Sequence, residues 1–359
     1  MKQKKIIILT PSFKLIGGVA NHYLGLNEHW THDVKYHFYG KRKKLPAIVT
    51  FGFDLLSYIF KLIFNRPDIV IVNPSLRSYQ LIRDGIYLLI AKTLRVEVVT
   101  FFHGWDELCA VKLKKNSFLF NLTYNKSLLI YVLASSFKKQ LLEIGIKTNI
   151  KITTTKVSDN LLSNFKIESR TGKISSILFL ARIIRTKGIF IVLNSFAIIQ
   201  KKFPQLNLVI VGDGTDMKEV KEYVLQLKLS NVSFKGELFG EQIANEFKKS
   251  ELYILPSYSE GMPTSVLEAM AFGMPIITRP LGGLNDFFKQ HLMGALVTSF
   301  DPNDFAIEVE KYLLDSQLTR KIANFNHCYA KKRFMASKVA ENIELDITTS
   351  LVLIQPFAK

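Results

Sequence analysis

Two cysteines among 359 residues, Cys109 and Cys328, allow at most one bridge, which excludes a disulfide-stapled scaffold and points to a reducing compartment. No Asp-x-Asp pair occurs, nor does His-x-x-x-His or Cys-x-x-Cys spacing, so no motif for a divalent ion stands out. The dinucleotide fingerprint Gly-x-Gly-x-x-Gly is missing, which argues against a nicotinamide enzyme. No Gly-x-Ser-x-Gly elbow marks a serine hydrolase. The longest greasy stretch, Ile48 to Phe64, is broken by Asp54 and Lys61 and falls short of the about 20 apolar residues of a membrane span. The apolar run after Lys5 ends at Pro11, too soon for a signal peptide, and reads as a buried first strand. Acidic residues are also short: 30 against 48 basic ones, a net charge of +18.

What is present fits two α/β domains. Hydrophobic residues are 48% of the chain, enough for two cores, and the length suits domains of about 150–180 residues. Short apolar runs alternate with helical stretches. In the front half the expected strands lie near 5–10, 34–39, 68–73, 96–103, 127–134 and 150–154. In the back half they lie near 175–181, 206–212, 232–235, 252–256 and 275–278. Continuous apolar strands between helices predict parallel sheets covered on both faces, hence two doubly wound domains. The polar stretch Lys166–Lys173 predicts a seam, giving domains over 1–169 and 170–335, with a helical segment over 336–359. The charge is uneven: residues 1–170 hold 26 basic and 11 acidic residues, residues 171–359 hold 22 and 19. The front half is therefore expected to face something anionic.

Ligands of open α/β sheets bind beyond the carboxyl ends of the strands, and several motifs fall there. Gly17-Gly18 follows the first strand and lets backbone amides approach a phosphate, or simply makes a tight turn. His103-Gly104 follows the fourth strand, with Asp106 and Glu107 close by; the imidazole reads as functional or as satisfied by loop backbone. Arg182, Arg185, Lys187 and Gly188 place cations before a helix start, suited to a diphosphate or to a solvated loop. Val211-Gly212-Asp213-Gly214 is a strand running into a turn. In Glu260-Gly261-Met262-Pro263-Thr264, a loop carboxylate precedes a helix bearing Glu268. Glu268 could accept from vicinal ribose hydroxyls, or cap the helix with Ser265.

Glu260 to Glu268 is a Glu-x7-Glu element, and with Arg182, Lys187-Gly188, Gly212-Asp213-Gly214, Gly282-Gly283 and Gly294 it resembles the retaining GT-B glycosyltransferases of group 1. The resemblance covers about residues 175–300 and implies two Rossmann-like domains facing a central cleft, with a C-terminal helix returning to the first domain. It further implies a nucleotide-sugar donor, UDP-sugar favoured, held mainly by the back domain, with Arg182 and Lys187 on the diphosphate and Glu268 on the ribose. Glu260 and His103 would touch the donor sugar and Gly17-Gly18 the phosphates. Gly212, Gly261, Met262, Pro263 and Thr264 complete the donor set; His103, Asp106 and Glu107 are acceptor-side candidates. No metal and no cofactor are expected. Two departures stand out: Ala181 replaces a usual glycine, and Leu284-Asn285-Asp286 stands where the family has a sugar-contacting Glu.

The expected activity is retaining transfer of a hexose or N-acetylhexosamine to a glycan acceptor, lipid-linked, in bacterial surface polysaccharide assembly. The expected location is the inner face of the cytoplasmic membrane. Lys112, Lys114 and Lys115 beside Phe118 and Phe120, and the cluster Lys41-Arg42-Lys43-Lys44, suit an anionic membrane surface. Rival readings are a nucleotide-sugar epimerase or a non-catalytic partner subunit. No aromatic platform for nucleic acid is evident.

Overall fold

The structure, a computed structural model, describes residues 3–15, 17–40 and 46–354. It divides into two compact units, Met1–Lys156 with Ala336–Lys359, and Val157–Met335. Unit 1 carries 26 basic and 12 acidic residues and unit 2 carries 22 and 18, so the excess stays with the first.

Unit 1 has strands β1 (Lys5–Pro11), β2 (Asp33–Tyr39), β3 (Ile69–Val72), β4 (Glu97–Phe101), β5 (Leu129–Val132) and β6 (Ile150–Ile152). Between them lie helices α1 (Gly18–Leu26), α2 (Ala47–Asn65), α3 (Ser78–Thr93), α4 (Glu107–Lys115), α5 (Phe118–Tyr124) and α6 (Ser135–Ile144). All strands run parallel in the order β2-β1-β3-β4-β5-β6. Ile69–Val72 is buried at every position because helices cover both faces, and each such side chain contributes about 1.5–3 kcal/mol.

Unit 2 has strands β7 (Ser176–Leu180), β8 (Asn207–Val211), β9 (Val232–Phe234), β10 (Leu252–Leu255), β11 (Ile276–Thr278) and β12 (Gly294–Leu296). Its helices are α7 (Ile189–Gln200), α8 (Met217–Gln226), α9 (Glu241–Lys249), α10 (Thr264–Ala271), α11 (Leu284–Phe287), α12 (Pro302–Leu314) and α13 (Ser316–Arg333). The parallel order β12-β11-β10-β7-β8-β9 is the dinucleotide-fold order, with its reversal between β7 and β10. The expected class, two doubly wound parallel-sheet domains, is what forms. The last helix, α14 (Ala336–Ile354), belongs to unit 1. Its Glu344 accepts from the amides of Thr31 (2.8 Å) and His32 (2.9 Å), and Tyr131 donates to its Asp346 at 3.1 Å.

The first seam falls after Lys156 rather than after residue 169. The reason is Arg170, which the polar stretch disguised as linker. Its buried guanidinium donates to the carbonyls of Phe247 (2.7 Å), Ser250 (2.6 Å) and Phe272 (2.9 Å). Those carbonyls lie near the C-terminal ends of α9 and α10, where a cation is favoured. Burial lowers its pKa to about 10, which still leaves it charged near neutrality.

Ile48–Asn65 is, among the described residues, the one helix long and apolar enough to cross a membrane by length and composition, with 22% of it buried. Asp54 and Lys61, which seemed to interrupt it, turn inward instead. Asp54 accepts from the Gly40 amide at 3.0 Å, and Lys61 donates to the Tyr36 carbonyl at 3.1 Å.

Candidate functional site

The reversal between β7 and β10 opens a gap at the carboxyl edge of the unit 2 sheet, flanked by the loops after these two strands. The β7 loop makes a short 3-10 turn at Arg185–Lys187 and then Gly188 in the left-handed region, φ +79°. A Cβ at Gly188 would collide with the carbonyl oxygen of Pro256 at the head of the β10 loop. The two loops are also tied by Tyr258 N donating to Thr186 O at 2.9 Å. On the other side, Ile183 N donates to Asp213 O (2.9 Å) and Arg185 N to Asp216 Oδ2 (2.6 Å), which anchors the β7 loop to the turn after Gly212.

This lacing brings Lys187 to Glu260: Nζ donates to Oε1 at 2.5 Å. The side chains are only 17% and 13% exposed, so solvent screens the pair weakly. An ammonium has three donors, which leaves two of Lys187's for another anion. Arg182 lies exposed on the same loop and makes no ion pair with any described residue. Arg185, by contrast, is paired with Glu219 and lies over the Phe190 ring at 4.4 Å. Gly261 and Thr264 are half-buried, while Met262 and Pro263 are buried. Gly282, at φ +49°, lets the Gly282-Gly283 backbone pack on the Glu260-Gly261 carbonyls, with Gly283 N donating to Gly261 O at 2.8 Å. Asp286 is exposed on α11.

The capping box expected as one option at Ser265 and Glu268 does not form. α10 starts two residues earlier than that option requires, with Pro263 at its N-cap, so Ser265 lies inside the helix, its hydroxyl hydrogen-bonded to Tyr253 OH at 2.7 Å. Glu268 is half-buried on α10. Tyr253 donates its one proton to Leu180 O at 2.9 Å and accepts from Ser265, bracing β7 against α10 beneath the site. Burial pushes its phenol well above the usual range, with the Glu260 and Glu268 charges adding to the effect. It reads as a core aromatic in the run Leu252–Leu255, so sequence reasoning passed over it.

In unit 1, Gly17 precedes α1 and Gly18 opens it, both facing open space. His103 follows β4 and is held by side chains rather than by the loop backbone. Asn73 Nδ2 donates to Leu9 O (2.7 Å), which turns its Oδ1 toward Tyr23 OH (2.7 Å) and His103 Nε2 (3.1 Å). With Oδ1 as acceptor, Nε2 carries the proton and Nδ1 presents a lone pair. The imidazole stacks on Phe101 at 3.7 Å and meets His22 edge-on at 5.0 Å. Desolvation pulls its pKa down to about 3, so it is neutral near pH 7. Asn73, Tyr23 and His22 escaped the sequence reading; the signal was a lone Asn ending the run Ile69–Val72. Asp106 is the N-cap of α4, accepting from Cys109 N at 2.9 Å, and exposed Glu107 accepts from Gln140 at 3.4 Å.

Lys112, Lys114, Lys115 and Phe118 are exposed, but Phe120 is buried in the unit 1 core, and Lys114 is paired with Glu143 at 2.5 Å. The cluster Lys41-Arg42-Lys43-Lys44 lies outside the described residues. No group of His, Cys, Asp and Glu able to hold a metal ion occurs among the described residues.

Residues 163–327 match the family described as Glycosyl transferases group 1. An uncharacterized glycosyltransferase of Methanocaldococcus jannaschii is 23% identical over 244 residues, 68% of this chain and 66% of that protein. The putative teichuronic acid biosynthesis glycosyltransferase TuaC of Bacillus subtilis is 34% identical over 114 residues, 32% of this chain and 27% of that one. The chain thus spans less than two thirds of these relatives' lengths. The crystal structure of Anabaena HepE in complex with UDP and glucose superposes with TM-score 0.74 at 16% identity, covering 97% of this chain and all of the other. At that identity the likeness concerns the fold, the two-domain α/β GT-B fold. The stretch that resembles the group 1 glycosyl transferases, residues 163–327, takes in nearly the whole of unit 2.

Proposed function

We propose that the chain transfers a hexose or N-acetylhexosamine from a nucleotide-sugar, a UDP-sugar in the first instance, to a glycan acceptor, with retention at the anomeric carbon and without a metal. One observation carries the reading: the half-buried Lys187–Glu260 pair, with exposed Arg182 beside it on the β7 loop, at the reversal point of the unit 2 sheet. Fixed cations at such a point suit a diphosphate. The bond from C1 to the β-phosphate oxygen breaks as the acceptor oxygen bonds C1 on the same face, and the acceptor proton passes to the departing phosphate. Arg182 and Lys187 stabilise the charge on that leaving group, Glu268 accepts from the ribose hydroxyls and Glu260 orients the sugar. In unit 1, neutral His103 accepts a sugar hydroxyl at Nδ1. The UDP in the HepE complex and the teichuronic acid role in TuaC's name favour UDP and a bacterial surface polysaccharide. The basic surplus of unit 1 supports a lipid-linked acceptor.

The test is UDP release from UDP-glucose, UDP-galactose and their N-acetylated counterparts, with and without a bacterial lipid-linked oligosaccharide fraction. Acceptor-dependent release with an α-linked product from an α-donor is expected. Conversion without acceptor would replace the proposal by the epimerase reading, and no turnover of any donor by that of a non-catalytic subunit.

A further inference from the structure

The sheet order makes the β2–β3, β3–β4, β4–β5 and β5–β6 connections all step the same way, so right-handed crossovers put α2, α3, α4, α5 and α6 on one face of unit 1. That face is apolar on its outer side as well as its inner side. On α2, Thr50, Asp54, Tyr58 and Leu62 turn inward and are buried. Val49, Phe53, Leu56, Phe60 and Ile63, at alternating steps of four and three, form an opposite stripe that is 40–58% exposed. Next to α2, α3 exposes Tyr79 and Ile82, and α5 beyond it exposes Phe118, Leu119 and Leu122. An apolar surface of this extent marks an interaction site.

Its exposed charges are mostly basic. The acidic side chains of these helices are Asp54, Asp84, Glu107 and Glu143; the first two are buried, Asp84 is paired with Arg83, and of the two exposed ones Glu143 is paired with Lys114. Antiparallel packing of helices on a parallel sheet sends the C-terminal ends of α2, α3 and α5 to one edge, where Arg66, Arg95 and Lys126 follow them, all exposed. Lys112 and Lys115 add exposed cations on α4.

We propose that this face docks flat on an anionic lipid bilayer, with the outer stripe of α2 lying in the headgroup–acyl boundary and the basic edge on lipid phosphates. Crossing the membrane is incompatible with the inner face of α2. Tyr58 donates to Tyr87 O at 3.2 Å, and Asp54 binds the Gly40 amide, so α2 is tied into unit 1 along its length. The proposal deepens the acceptor side of the function above by naming the surface on which a lipid-linked acceptor would be met, and it rests on unit 1 alone.

Co-sedimentation of the full chain with phosphatidylglycerol vesicles tests it, with phosphatidylcholine vesicles as the neutral arm. Strong binding to the first, weak binding to the second, and weakening in high salt are expected. Leu56→Asp with Phe60→Asp should weaken binding by about tenfold or more, through lost apolar insertion and added negative charge. Leu225→Asp, an exposed site on α8 of unit 2, should leave it unchanged. Matching circular dichroism melts establish that the double variant is folded. Failure of the wild type to bind phosphatidylglycerol vesicles overturns the proposal, as does a folded double variant that binds like wild type. A self-association dispersed by the same double substitution also overturns it, in favour of a second copy of this chain. Vesicle binding that persists where no sugar transfer is found leaves docking standing and removes only the transferase reading.

Discussion

Lys187→Ala is expected to lower kcat by about 10²–10³-fold, the usual cost of removing one fixed donor from a developing anion. The geometry gives two reasons. Lys187 is held against Glu260 at 2.5 Å with 17% of its side chain exposed, so its charge acts in a poorly screened setting. Its position also needs no search, because the β7 loop is laced to Pro256–Tyr258 on one side and to Asp213–Asp216 on the other. Lys202→Ala, an exposed lysine paired with Glu310, should leave kcat near wild type. The loss should lie in kcat more than in KM, because the interaction strengthens as the leaving group charges. Steady-state kinetics on both variants, with melts to confirm folding, provide the check; kcat near wild type in Lys187→Ala contradicts the assignment.

Gly188→Ala should destabilise unit 2 by about 2–5 kcal/mol, combining a left-handed backbone with a forced collision. Gly188 has φ +79°, and a Cβ there meets the Pro256 carbonyl, a backbone atom that cannot swing aside. Gly236 is the matched control. Its φ is +67°, but nothing lies within 4 Å of an added Cβ. Gly236→Ala should therefore cost only about 1–2 kcal/mol, the backbone penalty alone. The difference between the two melts isolates the loop–loop contact that shapes the site. Equal losses would mean that the Pro256 contact does not constrain the β7 loop.

Much of this was legible in the sequence because it is local. Apolar runs such as Ile69–Val72 and Leu252–Leu255 announce buried strands, and glycines beside charged residues mark their carboxyl ends. Hence Arg182, Lys187 and Glu260 could be assigned to one sheet edge. The unit boundary was hidden because Arg170 looks like linker until the carbonyls at the ends of α9 and α10 close on it. The Asn73–Tyr23–His103 network was hidden because its members come from the segments just after β3 and β4 and from α1, and no spacing along the chain encodes that meeting. β12, Gly294–Leu296, opens on a glycine and holds no β-branched or aromatic residue, so it carries little strand signal. Ile48–Phe64 read as a broken apolar stretch because Asp54 and Lys61 interrupt it, whereas the fold turns both inward and leaves a helix apolar on its outside.

The central claim is that unit 2 binds the diphosphate of a nucleotide-sugar at the β7–β10 edge. Thermal melts with UDP, GDP and ADP, run on wild type and on Arg182→Ala with Lys187→Ala, test it most directly. A nucleotide at about 100 times its Kd should stabilise the wild type by about 2.7 kcal/mol and leave the double variant nearly unmoved. A wild type indifferent to all three nucleotides, or a double variant stabilised as much as wild type, would contradict it.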